Sequence, residues 1–267
     1  MRSKIIYEDE YLIVVHKPSG LATQTSKLGQ QDLVSEIKNY LSINSRNPIN
    51  KKQETGSKNK IGEPYVGLIH RLDQPVEGIL VLAKNEFVAA QLSTQITKDE
   101  MKKCYYAYVY GKPKETSGIF EDYVLKDAKT NSSKVVSKNT KDRDVKRAEL
   151  NYQCIKTVEQ LPGISGEDVL LTASLMDIQL KTGRHHQIRV QFSHAGIPLL
   201  GDNKYGTAES IEASGKINLK NVALCAYRLE FIHPKTKKKM HIQIEPEAEI
   251  FRDLCLESIT KKKKINN

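Results

Sequence analysis

The chain of 267 residues has four cysteines, Cys104, Cys154, Cys225 and Cys255, and no two of them lie within four residues of each other. That spacing excludes a CxxC redox pair and a zinc ribbon, and it offers no secreted disulfide framework. No apolar stretch approaches the roughly 18–20 residues that a membrane helix requires. The opening residues, Met1 to Glu8, reach an acidic side chain before any long apolar run, so no signal peptide is legible. There is no GxxxxGK(S/T), no GxGxxG and no Gly-x-Ser-x-Gly. P-loop nucleotide hydrolysis, dinucleotide redox chemistry and hydrolase triads therefore lack their usual sequence support. These absences leave a reduced, cytoplasmic protein without a membrane segment.

What is present is charge, and mostly of one sign. Lys and Arg number 42 against 32 Asp and Glu, a formal net charge of +10. A surface of that sign favours polyanions, nucleic acid first. Hydrophobic residues make up 39% of the chain, enough for a folded core.

Along the chain, Ile5–Tyr7 and Leu12–Val15 read as a strand pair around Glu8-Asp9-Glu10, closed by the turn residues of Lys17-Pro18-Ser19-Gly20. From Asp32 the period changes to that of an amphipathic helix carrying Leu33, Val34, Ile37, Tyr40 and Leu41, with Asp32 as its cap. Residues 44–63 are polar and read as a surface loop. Ile79–Ala83 reads as a buried strand, followed by a helix capped by Asn85. Residues 105–110 form an aromatic strand. The segment 126–147 has eight Lys or Arg against three Asp, so it is a solvated hairpin or a basic flap facing RNA. Strands are expected at 148–155, 169–180 and 187–193, with a hairpin around Lys235–Lys239. Ile250, Phe251, Leu254 and Cys255 suit a short helix, and Lys261–Lys264 a disordered tail. The pattern is strand-rich without regular β-α alternation. It predicts an α+β fold with a large mixed, mostly antiparallel sheet flanked by helices and loops.

Chemistry-bearing residues concentrate in three places. His70, Arg71 and Asp73 stand between apolar Leu68-Ile69 and the buried strand from Ile79, with Pro75 and Gly78 bracketing a turn. A carboxylate and a guanidinium on a loop anchored to a core suit either catalysis or a structural ion pair. The second place is Lys181 to Gln191, where Ile188 and Val190 alternate with Arg189 and Gln191, so that Arg189 projects from the polar face of a strand. The tandem His185-His186 has no ligand set beside it, and neighbouring strand residues point to opposite faces, so no metal site is expected. The third is a punctuated turn, Gly196 to Gly206, that contains Gly201-Asp202-Asn203-Lys204-Tyr205-Gly206.

With these residues in view, the chain resembles the RluA-type RNA pseudouridine synthases over roughly residues 4–256. The landmarks, in the family's order, are Tyr7 to Leu21, His70-Arg71-Leu72-Asp73, Tyr105 to Gly111, Thr182 to Arg189, and Gly201 to Gly206. Where the family often continues its Asp motif with Thr-Ser-Gly, this chain has Val76-Glu77-Gly78.

The resemblance implies a pseudouridine synthase catalytic domain, expected over residues 1–258; residues 1–16 lead straight into the core, so no separate N-terminal RNA-binding module of the S4 type is expected, and 259–267 read as a basic, disordered tail. The resemblance also implies isomerisation of uridine to its C5-glycoside in structured RNA, with neither metal nor organic cofactor; the sequence leaves ribosomal and transfer RNA both open, ribosomal RNA slightly favoured, and monomer is the default expectation. Asp73 matches the catalytic carboxylate, Tyr105 the active-site tyrosine and Arg189 the arginine paired with the carboxylate. Arg71 matches a residue that contacts the flipped nucleotide or its phosphate. His70 and Arg184 join Arg71 as substrate-binding candidates; His70 alternatively only supports the loop, and Arg184 is by charge a second candidate for the carboxylate's partner. A lone buried carboxylate would be driven towards its neutral form, so a guanidinium within about 4–6 Å fits the chemistry.

Two other readings stay open on sequence grounds. One is a non-catalytic RNA-binding or ribosome-assembly protein of the same fold, which would be indifferent to Asp73→Asn. The other is a metal-dependent nuclease using His70, Asp73, His185 and His186, which EDTA would silence.

Overall fold

The structure, a computed structural model, describes residues 1–25, 29–45, 63–163 and 168–252. The chain divides into two compact units, one of Met1–Met101 with Glu230–Ile242 and one of Lys102–Leu229 with the residues from Gln243.

The first unit opens with β1 (Lys4–Glu8) antiparallel to β2 (Leu12–Lys17), as the two apolar runs around an acidic turn predict. Asp9 shapes that turn by accepting the N–H groups of Tyr11 and Leu12. β2 is buried along its whole length and pairs antiparallel with β4 (Glu77–Ala83), also buried throughout, with Val14 opposite Val81. Their unbroken apolar sequences are what such strands require. A short β3 (Gly67–Leu68) also lies against β4. Helix α1 (Leu33–Ser45) begins at Asp32, whose carboxylate accepts the Ser35 N–H at 2.8 Å. Helix α2 (Glu86–Thr97) begins at Asn85, which accepts the Val88 N–H at 2.9 Å. Both caps satisfy donors that a helix start leaves unpaired.

The second unit is built on long antiparallel strands: β5 (Lys102–Tyr110), β6 (Ser117–Asp127), β7 (Ser132–Val136), β8 (Lys146–Pro162) and β9 (Asp168–Leu180). They run side by side in the order β5-β9-β8-β6-β7. The basic segment 126–147 is thus the β6–β7 hairpin with the turn leading into β8. After β9 come two helices, α3 (Gln187–His194) and α4 (Ala208–Lys216), and then β10 (Leu224–Ile232), which pairs with β5. The core of this unit gathers Cys104, Tyr108, Leu175, Leu200, Ala213, Cys225, Tyr227 and Phe251.

Past Leu229 the chain belongs to the first unit again. Ile232 and Gln95 of α2 exchange two hydrogen bonds of 2.7 and 2.8 Å, and β11 (Lys239–Gln243) closes the expected lysine-tipped hairpin with β10. Ile250 and Phe251 lie in a 3-10 turn, Glu249–Phe251. Leu254, Cys255, the lysine tail and most of the 44–63 segment lie outside the described residues.

The expected strand at 187–193 is helix α3. Gln187, Ile188, Arg189, Val190, Gln191 and Phe192 are all buried, so the polar–apolar alternation does not separate a wet face from a dry one. It separates buried side chains with polar partners from buried side chains without them. Gln187 donates to the Glu149 carbonyl, Arg189 to Asp202 and Gln191 to Asp122. Helix α4 falls in a stretch to which the sequence pattern assigned no element. Its sequence AESIEASGK carries one isoleucine as its only large apolar residue, so no apolar stripe announces it.

Candidate active site

In the first unit His70, Arg71 and Asp73 come together on the loop between β3 and β4, as the sequence predicts. Arg71 is exposed, and His70 and Asp73 are half-buried. The Val76 N–H donates to the Asp73 carbonyl at 3.0 Å, closing a turn that starts at Asp73 and has Gln74 and Pro75 at its centre. His70 Nε2 accepts the Val81 N–H at 3.4 Å.

The loop is pinned from one side by the segment that follows β2. Thr23 Oγ1 donates to the Leu72 carbonyl at 2.7 Å, and the Gly20 N–H donates to the Gln74 carbonyl at 2.8 Å. Gly20 has φ +79°, a conformation that glycine adopts without strain. Lys17 is wholly buried, and its ammonium donates to the carbonyls of Leu21 at 2.7 Å, Pro18 at 3.0 Å and Gln74 at 3.3 Å. Burial lowers the Lys17 pKa to about 7, against the opposing pull of the nearby Asp73 charge. Glu77, one of the two residues that depart from the family's usual pattern, is buried with its Oε1 3.2 Å from His16 Nε2.

In the second unit Tyr105 is a buried residue of β5, opposite Ile178 of β9. Arg184 and Arg189 flank the start of α3. Arg184 is exposed; its Nε donates to the Arg147 carbonyl at 2.8 Å, and its N–H donates to Gln187 Oε1 at 2.9 Å. Arg189 is 6% exposed and makes a two-pronged pair with Asp202, Nε to Oδ2 and Nη2 to Oδ1, both at 2.7 Å. Asp202 is itself 2% exposed, and its Oδ1 accepts the N–H groups of Lys204 and Tyr205 at 3.0 and 3.1 Å. The fork geometry of that pair fixes the plane of the guanidinium.

The tandem histidines sit in a turn, not on a strand, and their rings stack at 3.7 Å. His186 has φ +52° and stands at the N-cap of α3 with its Nδ1 2.7 Å from the Tyr205 hydroxyl. Among the described residues no group of three or more His, Cys, Asp or Glu is placed to hold a metal ion. No described helix is long and apolar enough to cross a membrane.

Sequence reasoning missed Lys17, Glu77, Gln187, Asp202 and Tyr205 as supports of these side chains. Signals existed for two of them. A lysine at the end of a run of buried β-residues needs polar partners, and an Asp between a glycine and a short aromatic-bearing turn is placed to accept backbone N–H groups.

Residues 11–194 match the family model described as RNA pseudouridylate synthase. The chain belongs to that family and is an RNA pseudouridine synthase, an isomerase. It is similar to ribosomal large subunit pseudouridine synthase C of Buchnera aphidicola, with 31% identity over 90% of this chain and 66% of that protein. It is also similar to tRNA pseudouridine synthase C of Haemophilus ducreyi, at 31% identity over 91% of this chain and 90% of that one. The corresponding enzyme of Vibrio cholerae matches at 29% over 90% and 89%. Among solved structures, human RNA pseudouridylate synthase domain containing 4 shares the fold, with a TM-score of 0.63 at 20% identity over 92% of this chain and 90% of that one.

Proposed function

We propose that the protein converts specific uridines of a structured RNA to pseudouridine with Asp73 as the catalytic carboxylate. The observation that carries this reading is the pinned Asp73 turn in a chain of this family: its backbone is held at Leu72 and Gln74 by Thr23, Gly20 and Lys17. A loop fixed at both neighbours presents its carboxylate in one geometry, as a reacting group needs.

The reaction breaks the N1–C1′ bond, turns the uracil while it is held, and joins C5 to C1′. The C5 hydrogen leaves as a proton to solvent and N1 ends protonated, so atoms balance without a metal or an organic cofactor. Asp73 acts at the sugar or the base as nucleophile or general base. Tyr105 offers a ring for the uracil and a hydroxyl for the proton at C5. Arg189 supplies the guanidinium that the family pairs with its carboxylate, held in plane by Asp202. Arg71 and Arg184, both exposed, take the nucleotide's phosphates. The target uridine must leave its stack, at a cost of a few kcal/mol. The exposed lysines of 126–147 offset that cost by holding the backbone.

The relatives of this chain's own length are named for transfer RNA, and this supports transfer RNA as the substrate over the ribosomal RNA favoured from the sequence. The test is tritium release from transfer RNA and ribosomal RNA transcripts labelled at uracil C5, without added metal, for wild type and Asp73→Asn. Release from transfer RNA by the wild type alone is the expected result. Equal release by Asp73→Asn overturns the assignment, and release from ribosomal RNA alone overturns the substrate class.

A further inference from the structure

The second unit joins the basic β6–β7 hairpin to the segment that carries Arg189 through one short turn. Lys204 Nζ donates to the carbonyls of Thr130 and Asn131 at the hairpin tip, both at 3.1 Å. The Tyr205 hydroxyl accepts the Ser133 N–H of β7 at 2.8 Å and lies 2.7 Å from His186 Nδ1. Ser133 Oγ donates to the His185 carbonyl at 2.9 Å.

The same two residues of the turn reach Arg189 from the other side. Their backbone N–H groups donate to Asp202 Oδ1, which is bonded to Arg189, and the Tyr205 ring centroid lies 5.0 Å from the Arg189 guanidinium carbon. The Tyr205 carbonyl accepts Ser193 Oγ of α3 at 2.7 Å. Outward, the hairpin shows Lys126, Lys129 and Lys134, all exposed.

We propose that Lys204 and Tyr205 are positioning residues that hold the basic hairpin and Arg189 in one frame, so that RNA gripped by the hairpin is delivered in register to the guanidinium. The inference rests on the reading of Arg189 given above. Lys204 is exposed and touches the hairpin only at backbone carbonyls, so its side chain has no part in packing the core. A side chain placed there for solubility alone would not need two carbonyl partners. Tyr205 bridges the other strand of the hairpin, so the two residues together fix its tip and its second strand.

The experiment measures RNA affinity and single-turnover pseudouridine formation separately. It compares wild type, Lys204→Met, Tyr205→Phe, the double variant, Lys204→Arg and, as control, Asp73→Asn. Loss of one or two hydrogen bonds predicts a rate about three- to tenfold lower in each single variant with RNA affinity unchanged. The double variant should lose less than the product of the single losses, because both act on one tie. Lys204→Arg, which keeps the donors, should recover the rate. An unchanged rate in Lys204→Met, or a rate loss wholly matched by weaker RNA affinity, overturns the proposal. Should Tyr205→Phe fail to fold, Lys204→Met still decides the matter, its side chain being exposed. Wild-type activity in Asp73→Asn instead overturns the catalytic reading beneath it, and inactive Asp73→Asn beside fully active Lys204→Met overturns this inference alone.

Discussion

Glu77 Oε1 lies 3.2 Å from His16 Nε2, with both side chains buried. The two residues are 61 apart in sequence and meet where β2 and β4 pair, one step from the place where Lys17 stands opposite Gly78. The carboxylate that replaces the family's usual small polar residue therefore has a partner inside the fold. Removing it leaves the imidazole buried with one partner fewer. Glu77→Ala should cost about 1–3 kcal/mol of stability, and Glu77→Gln, which keeps an acceptor, clearly less. Urea unfolding at neutral pH measures both. Equal, negligible losses in the two variants would show that the pair carries no weight.

Lys17 makes stability depend on pH in an unusual direction. Burial depresses its folded-state pKa from 10.5 to about 7. Below pH 7 both folded and unfolded chains hold the proton, and the penalty of burying the charge is present in full. Between 7 and 10.5 the unfolded chain holds a proton that the folded chain has lost, so stability rises with pH by up to about 1.4 kcal/mol per unit. Lys17→Met removes that dependence and takes the ammonium from the Leu21 and Pro18 carbonyls, while the Gln74 carbonyl keeps the Gly20 N–H. The difference in unfolding free energy between wild type and Lys17→Met, measured at about pH 7 and about pH 9, should shift in favour of the wild type at the higher pH. A difference that stays constant would mean that the lysine keeps its charge in the fold.

The strands of the first unit were legible because each carries a continuous apolar run, Leu12–Val15 and Ile79–Ala83, between turn residues. The Asp73 loop was legible because three polar side chains stand between two such runs. Helix α3 was not. Its alternation over six residues fits a strand as well as it fits a helix buried on every side, and only the partners Glu149, Asp202 and Asp122 tell the two apart. Those partners are between 13 and 69 residues away in sequence, so no local pattern contains them. Tyr205 was missed for the same reason, since Ser133 and His186 lie 72 and 19 residues from it in sequence.

Gly201 fixes the turn on which the Arg189–Asp202 pair depends. Its φ is +75°, and a Cβ there would stand 2.1 Å from the Asn221 carbonyl oxygen. The strained conformation and the clash with backbone act together, so Gly201→Ala should cost about 2–4 kcal/mol. Activity should fall further than stability alone explains, because Asp202 is the next residue and loses its seat under the guanidinium. Thermal unfolding and single-turnover rates at a temperature where the variant stays folded separate the two effects. A folded Gly201→Ala with wild-type rate would mean that the turn can move without disturbing Arg189.

The hairpin and the turn after it expose Lys126, Lys129, Lys134, Lys138, Lys141, Arg143 and Lys146, while Arg147 is occupied by Glu121 and Glu149. Exposed ammonium groups are available to phosphates, and each phosphate they neutralise releases condensed counterions. The plot of log affinity against log salt should therefore flatten by about 0.7–0.9 for each phosphate that is no longer neutralised. Replacing Lys126, Lys129, Lys134 and Lys138 by Gln should weaken RNA binding and lower that slope, with a thermal midpoint close to wild type because all four side chains are exposed. The slope is the deciding quantity, since a merely unfolded or misfolded variant loses affinity at every salt concentration alike. An unchanged slope in the neutralised protein would place the RNA elsewhere and leave the hairpin as a solvated edge of the sheet.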